Sequence, residues 1–456
     1  MADNTPNNSP VNLLSLDGGG IRGVSQLIIL DEIMKCIQAK KNLTEVPKPC
    51  EYFHLIGGSG TGGLNGIMLG RLKMSTEDAL RNYKKLSAAV FSPDNRKLVY
   101  KDDKFRASTL EAEIKEIVKN SCEGYTGDEH LLNPGTAKDT TGNMFVCAKT
   151  SVNLESPQRF RTYEGLPNQG PDCKIWEAGR ATTATPKIFK AIMIVGQGGI
   201  SSSYIDAGLG HNNPSKEVRE EAMQLFGSDC PVGVFLSIGT GHPGPNGFQQ
   251  PRGIEKILSL NLMKTVTKIA TDCELVSSDF AKQYKSNPGT YFRFNVTHGT
   301  GILAVDDWQR ESDILAHTNA YLRDPNTSRM IEEMIECLCS SSSLEKVHTL
   351  GSFAGHIPPV SKITMISLPP FLSSLFIGRQ DYFLKLQKYF ESREKPWKRR
   401  SFLLYGMGGI GKSQIALKFA HNEQKSKYFS IILWIDATSE KIYACRRKWK
   451  YFNYKP

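Results

Sequence analysis

Val11-Asn-Leu-Leu-Ser-Leu-Asp17-Gly-Gly-Gly-Ile-Arg-Gly23 is the stretch whose reading decides the fold. Residues 11–16 form a short apolar run closed by turn residues, the pattern of a strand buried on both faces. Residues 24–40 then carry apolar side chains at helical spacing. The same strand, glycine turn and helix recur at residues 53–56, at Gly57-Gly-Ser-Gly-Thr-Gly-Gly63 and at residues 64–72. Further strands are expected at 144–148, 188–195 and 232–237, and helices at 175–181, 215–226 and 329–337. Strands alternating with helices give an α/β fold with a doubly wound, mainly parallel sheet. Ligands of such sheets bind beyond the carboxyl ends of strands, where both glycine turns fall.

Hydrophobic residues make up 39% of the 456 residues and charged residues 23%, which places the chain among globular proteins. No apolar run approaches the roughly 20 residues that span a bilayer. The opening MADNTPNNSPVN lacks the apolar segment of a secretory signal. The ten cysteines include no CxxC pair. They read as reduced thiols in a cytoplasmic protein, with no metal site expected in the first domain. The net charge is +11, yet from Lys398 onward 13 Lys and Arg face 3 Asp and Glu. The basicity therefore belongs to the tail, and nucleic acid is not an expected partner.

Asp17-Gly18-Gly19-Gly20-Ile-Arg-Gly23 has the GxGxxG spacing of a dinucleotide loop, a weak signal by itself. Its other use is an oxyanion hole, in which glycine amides point at a developing alkoxide. Arg22 could add charge near a phosphate or serve a structural ion pair. In the second turn, Gly58 and Gly62 flank Gly60 at the spacing of a nucleophile elbow, which needs glycine two residues before and after the reactive position. Centring the elbow on Ser59 places Gly57 before it and Thr61 after it, which breaks the spacing. Tyr204-Ile-Asp206-Ala-Gly208 adds an acid at a strand end.

Together, DGGGIRG, the glycine elbow, residues 175–189 (IWEAGRATTATPKIF), 206–214 (DAGLGHNNP) and 236–241 (LSIGTG) resemble the patatin-like phospholipases over residues 11–335. The resemblance implies a three-layer sandwich and an acyl hydrolase of phospholipase A type acting on acyl lipid or a membrane surface. It implies a Ser–Asp dyad with Asp206 as base and Gly18, Gly19 and Gly20 as oxyanion donors, without a cofactor. This sequence departs from that pattern by having Gly60 at the nucleophile position and Ala207 after the acid. Ser59 is the alternative nucleophile. Two outcomes stand: an acyl-lipid hydrolase, or a catalytically inactive lipid-binding effector domain. A dinucleotide oxidoreductase would leave the elbow and Asp206 unexplained.

Residues 340–370, rich in serine and proline, read as a linker. Beyond it a helix is expected at 382–390 and a strand at 402–405, followed by Gly406-Met-Gly408-Gly409-Ile-Gly411-Lys412-Ser413 and a helix at 414–420. GxxxxGK[ST] between strand and helix is a P-loop, whose amides and lysine hold phosphates and whose serine ligates Mg²⁺. Residues 375–440 resemble the start of an NB-ARC domain, the nucleotide switch of NLR-type immune receptors. The resemblance implies ATP or ADP with Mg²⁺, a fungal-type receptor architecture, and leaves self-association open. Asp436 comes too early for a Walker B acid, so a truncated P-loop α/β domain is expected, with 442–456 an unassigned tail.

Overall fold

The apolar run Val11–Leu16 becomes strand β1, with Leu13, Leu14 and Leu16 fully buried, because both of its faces are covered. The computed structural model describes residues 10–97, 103–133, 141–164, 170–196, 199–242, 273–285, 288–299, 306–339, 349–351, 365–367, 380–391, 402–405, 411–426 and 431–433. The chain divides into two compact units, Met1–His356 and Ile357–Pro456.

In the first unit β1 leads through the glycine loop into α1 (Gly23–Lys41), then α2 (Pro49–Tyr52), β2 (Leu55–Ser59), α3 (Thr61–Gly66), α4 (Thr76–Val90) and α5 (Ala107–Ser121). There follow β3 (Asn143–Thr150), β4 (Asn153–Arg161), α6 (Ile175–Thr182), β5 (Ile192–Val195), β6 (Ser201–Asp206), the single turn α7 (Gly208–His211), α8 (Ser215–Phe226) and β7 (Val232–Ile238). The unit closes with α9 (Cys273–Gln283), β8 (Tyr291–Phe294), α10 (Glu311–Leu322) and α11 (Pro325–Cys339).

The strands form one sheet in the order β5-β6-β3-β2-β1-β7-β8, with β4 also paired to β3. β1, β2, β3, β7 and β8 run parallel, while β4 and β6 run antiparallel to β3. On one face Leu14, Leu16, Ile56, Met144 and Val146 pack with α1, α3, α4, α5, α6, α10 and α11. On the other, Leu13, Leu55, Phe145 and Phe235 meet Val218, Ala222 and Leu225 of α8 and Phe280 of α9. The first unit is thus a helix–sheet–helix sandwich on a mostly parallel, mixed sheet.

Four sequence expectations change. The strand expected at 188–195 is confined to Ile192–Val195, since residues 188–191 are turn and loop. The strand expected at 53–56 lies at Leu55–Ser59, so Gly57, Gly58 and Ser59 belong to a fully buried strand and the turn begins at Gly60. β6 is antiparallel, so Asp206 does not sit at a parallel strand end. It reaches the active rim because β6 is short and its register sets Asp206 level with Ala148. In the second unit, residues 402–405 are not a strand, and Leu403 and Tyr405 are exposed. Its described elements are β9 (Met365–Ser367) paired parallel with β10 (Ile431–Leu433), α12 (Gln380–Glu391) and α13 (Lys412–Ser426).

Candidate active site

The site is built from the turn that ends β2. Gly60 adopts φ 54° and ψ −122°, a conformation that L side chains occupy only under strain. The flanking glycines are needed for space. A Cβ at Gly58 would lie 2.2 Å from the Gly62 carbonyl oxygen, and one at Gly62 would lie 2.2 Å from the Leu16 carbonyl oxygen. At Gly60 itself a Cβ would meet Gly18 Cα at 3.5 Å and Asp206 Oδ1 and Oδ2 at 3.6 and 3.7 Å, ordinary contact distances. The backbone therefore has elbow geometry centred on residue 60, with room for a Cβ in ordinary contact with the Asp206 carboxylate.

Asp206 is held by two donors: Thr185 Oγ1 donates to Oδ2 at 2.6 Å, and the Gly208 N–H donates to Oδ1 at 2.9 Å. Burial raises its pKa above the ordinary carboxylate value, opposed by the Thr185 and Gly208 hydrogen bonds and by Lys149. Lys149, itself buried, donates to the Leu209 carbonyl at 2.5 Å and so fixes the turn that follows the acid. Thr182 Oγ1 accepts the Gly60 N–H at 2.9 Å and donates to the Cys147 carbonyl at 2.7 Å, tying the elbow to β3. Among the described residues no group of His, Cys, Asp and Glu could hold a metal ion.

Every carbonyl of the glycine loop is tied back. The Gly18 oxygen accepts from Thr240 Oγ1 at 2.9 Å and Asn212 Nδ2 at 3.2 Å. The Gly19 oxygen accepts from Arg22 Nε at 3.1 Å, and the Gly20 oxygen from Tyr83 Oη at 2.8 Å. In a planar trans peptide the N–H points opposite to its C=O. Anchoring the Gly18 and Gly19 carbonyls therefore turns the Gly19 and Gly20 amides the other way, and neither makes a hydrogen bond among the described residues. Gly18 is a correction: its amide donates to the Asn212 carbonyl at 2.9 Å and is not available to an oxyanion. Arg22 serves as a loop anchor through Gly19.

Asp17 lies beneath this loop, paired with Arg293 at 2.6 Å, and burial lifts its carboxyl to about 6 even so. Ser59, the alternative nucleophile, pairs in register with Cys147, whereas Asp206 pairs with Ala148. Adjacent residues of a strand point to opposite faces. Cys147 belongs to the α8 face and Ala148 to the α6 face, so the Ser59 side chain is turned away from Asp206. Ser59 is fully buried, and its hydroxyl has no hydrogen-bond partner among the described residues.

Thr182, Thr185, Lys149, Asn212 and Thr240 were not legible as site residues. Thr182, Thr185, Asn212 and Thr240 fall within the segments that carried the resemblance (175–189, 206–214 and 236–241), but nothing in those segments singled them out, and Lys149 lies in none of them. At the P-loop, Gly406, Gly408 and Gly409 lie outside the described residues. Gly411 has φ 92° and leads directly into α13, whose first two residues are Lys412 and Ser413.

Residues 14–218 match the patatin-like phospholipase family. The chain is 28% identical to calcium-independent phospholipase A2-gamma of Homo sapiens over 299 residues, which cover 62% of this chain and 34% of that protein. It is 23% identical to Patatin-like phospholipase 1 of Plasmodium falciparum over 346 residues, covering 70% of this chain and 48% of that one. It therefore spans between a third and a half of the length of these relatives. The solved structure of VipD from Legionella pneumophila aligns with a TM-score of 0.36 at 10% identity, covering 71% of this chain and 67% of that one, too loosely to carry an argument.

Proposed function

We propose, from the premise that residues 14–218 form a patatin-like phospholipase domain, that the first unit is an acyl-lipid hydrolase site lacking one atom group, the nucleophilic hydroxyl at position 60. The observation that carries this reading is the geometry at Gly60: its backbone holds elbow angles, and a Cβ there would stand 3.6 Å from Asp206 Oδ1 without a clash. A serine hydroxyl attached to that Cβ would come within about 2.6–3.2 Å of the carboxylate, the reach a general base requires. The ester carbonyl oxygen would lie toward the Gly19 and Gly20 amides. Thr185 and Gly208 favour the ionised carboxylate and burial, the larger influence, favours the protonated one, so the net shift is upward, toward a carboxyl that takes up a proton more readily.

As encoded, the chain lacks a nucleophile, and losing one typically costs on the order of 10⁶ in turnover. The domain is therefore read as a non-hydrolytic lipid-binding effector that keeps the hydrolase scaffold. The second unit is read as the opening of an NB-ARC-type nucleotide switch. Its support is Gly411 at positive φ leading directly into Lys412 and Ser413 at the start of α13, in a segment with P-loop spacing. There Lys412 would reach the β- and γ-phosphates of ATP or ADP, and Ser413 would hold Mg²⁺.

The test is hydrolysis of short-chain acyl esters and of phospholipid. Gly60→Ser should raise turnover at least about 100-fold over the parent, and adding Asp206→Asn should return it to the parent level. A folded Gly60→Ser variant without activity on any ester would refute the hydrolase reading.

A further inference from the structure

The outer edge of the sheet departs from what an edge strand in water needs. Ala191–Ile205 carries no charged residue. On β5 the inner side chain Ile194 is buried, while Met193 and Val195 on the other face are 59% and 60% exposed. Their cross-strand partners on β6 are Ser203 and Ser201, so neither pair holds a charge; the nearest charge on that face is Lys149, paired with Ile205 and buried. Ile200, at the end of the connecting turn, is 72% exposed. The turn itself is closed by Gly196 N–H to the Ile200 carbonyl at 2.9 Å. Val152, in the β3–β4 turn, is 93% exposed, and its neighbour Ser151 donates its N–H to the Ser203 carbonyl at 2.8 Å, tying that turn to β6. Exposed edges are ordinarily blunted with charge, and contiguous exposed apolar side chains mark a surface that something covers.

The register says where this surface lies. Asp206 is level with Ala148, whereas Val195 pairs with Ser201, five residues nearer the start of β6. The hairpin therefore stands roughly 17 Å beyond the candidate active site, on the rim where the Gly60 turn opens. Lys187 and Lys190 are exposed at its root. An uncharged apolar tip above two cations matches the layering of a membrane surface, acyl chains below anionic headgroups.

We propose that Met193, Val195, Ile200 and Val152 form a membrane-docking tip that inserts into an anionic lipid surface and sets the candidate site over it. This rests on reading the domain as an acyl-lipid hydrolase scaffold, and it holds whether or not residue 60 can react.

The test is co-sedimentation of the full chain with vesicles of phosphatidylcholine and phosphatidylglycerol at 3:1. The parent should bind, and the triple variant Met193→Asp, Val195→Asp, Ile200→Asp should bind at least tenfold more weakly. The triple serine variant at the same positions, matched to the neighbouring serines, should lose binding in the same direction and guards against misfolding. Ile200→Trp should bind at least as well as the parent and show a blue-shifted emission component on vesicle addition. Parental affinity in both triple variants, or a parent that ignores vesicles, would overturn the proposal. So would a change of oligomeric state in the variants with vesicle binding intact, since the edge would then pair with a second copy. If Gly60→Ser stays inert on every ester while the tip binds vesicles as described, the hydrolase reading falls and the docking surface stands.

Discussion

Replacing Gly60 by alanine isolates the backbone term of the site. Its φ of 54° and ψ of −122° lie where a side chain is strained, at a cost of order 1–3 kcal/mol. Contacts add little, because the new Cβ would meet its nearest neighbours at 3.5–3.7 Å. We therefore expect Gly60→Ala to lower unfolding stability by about 1–3 kcal/mol, a few degrees in melting temperature for a domain of this size. Gly58→Ala is the contrasting case, since its Cβ would fall 2.2 Å from the Gly62 carbonyl oxygen. That clash is with backbone, so the turn itself must move, and the loss should exceed about 4 kcal/mol. Urea unfolding followed by circular dichroism measures both. Equal losses would refute the reasoning, because position 60 would then be as crowded as position 58. A neutral or stabilising Gly60→Ala would equally refute it, showing that the elbow does not hold residue 60 at those angles.

Glu217 is buried, with burial raising its carboxyl from 4.5 to about 7 against the pull of Arg159, with Glu220, Lys216 and His211 nearby. Because the folded pKa is raised, stability is lost as pH rises from about 4.5 through about 7. Glu217→Gln should escape that loss. Its stability relative to the parent should improve by about 3 kcal/mol between pH 4.5 and 8, and a pH-independent difference would count against the assignment. For the second unit, calorimetry should detect weak ADP or ATP binding that Lys412→Ala removes. Unchanged binding in that variant would place the nucleotide elsewhere.

β1 was legible because it is a short apolar run ended by residues that cannot continue it, whereas β2 runs on through Gly57 and Gly58 to Ser59. β1 and α8 fall within a residue of where the pattern puts them. The antiparallel strands β4 and β6 were not. β4 is half-exposed and polar (NLESPQRFR), and β6 opens with three serines, so neither shows an apolar run or clean alternation. The frame of the elbow was legible from the Gly58–Gly62 spacing, whereas the loss of Gly18 as a donor was not. That loss depends on the Asn212 carbonyl, brought to the loop from far along the chain by the sheet. The same holds for Thr185, whose hydroxyl reaches Asp206 only because α6 packs over β3 and β6. At residues 402–405 an apolar run preceding a glycine turn was insufficient, since a strand also needs a paired neighbour.

The proposed hydrolase site lacks only the hydroxyl at position 60. The most direct measurement is labelling with an alkyl fluorophosphonate, which reacts with an activated hydroxyl beside a base, followed by peptide mass spectrometry. No adduct is expected on the parent. Gly60→Ser should carry a single adduct at position 60, abolished when Asp206→Asn is added. An adduct on Ser59 of the parent would contradict that reading by showing a hydroxyl already activated. So would a folded Gly60→Ser variant that the probe leaves unlabelled.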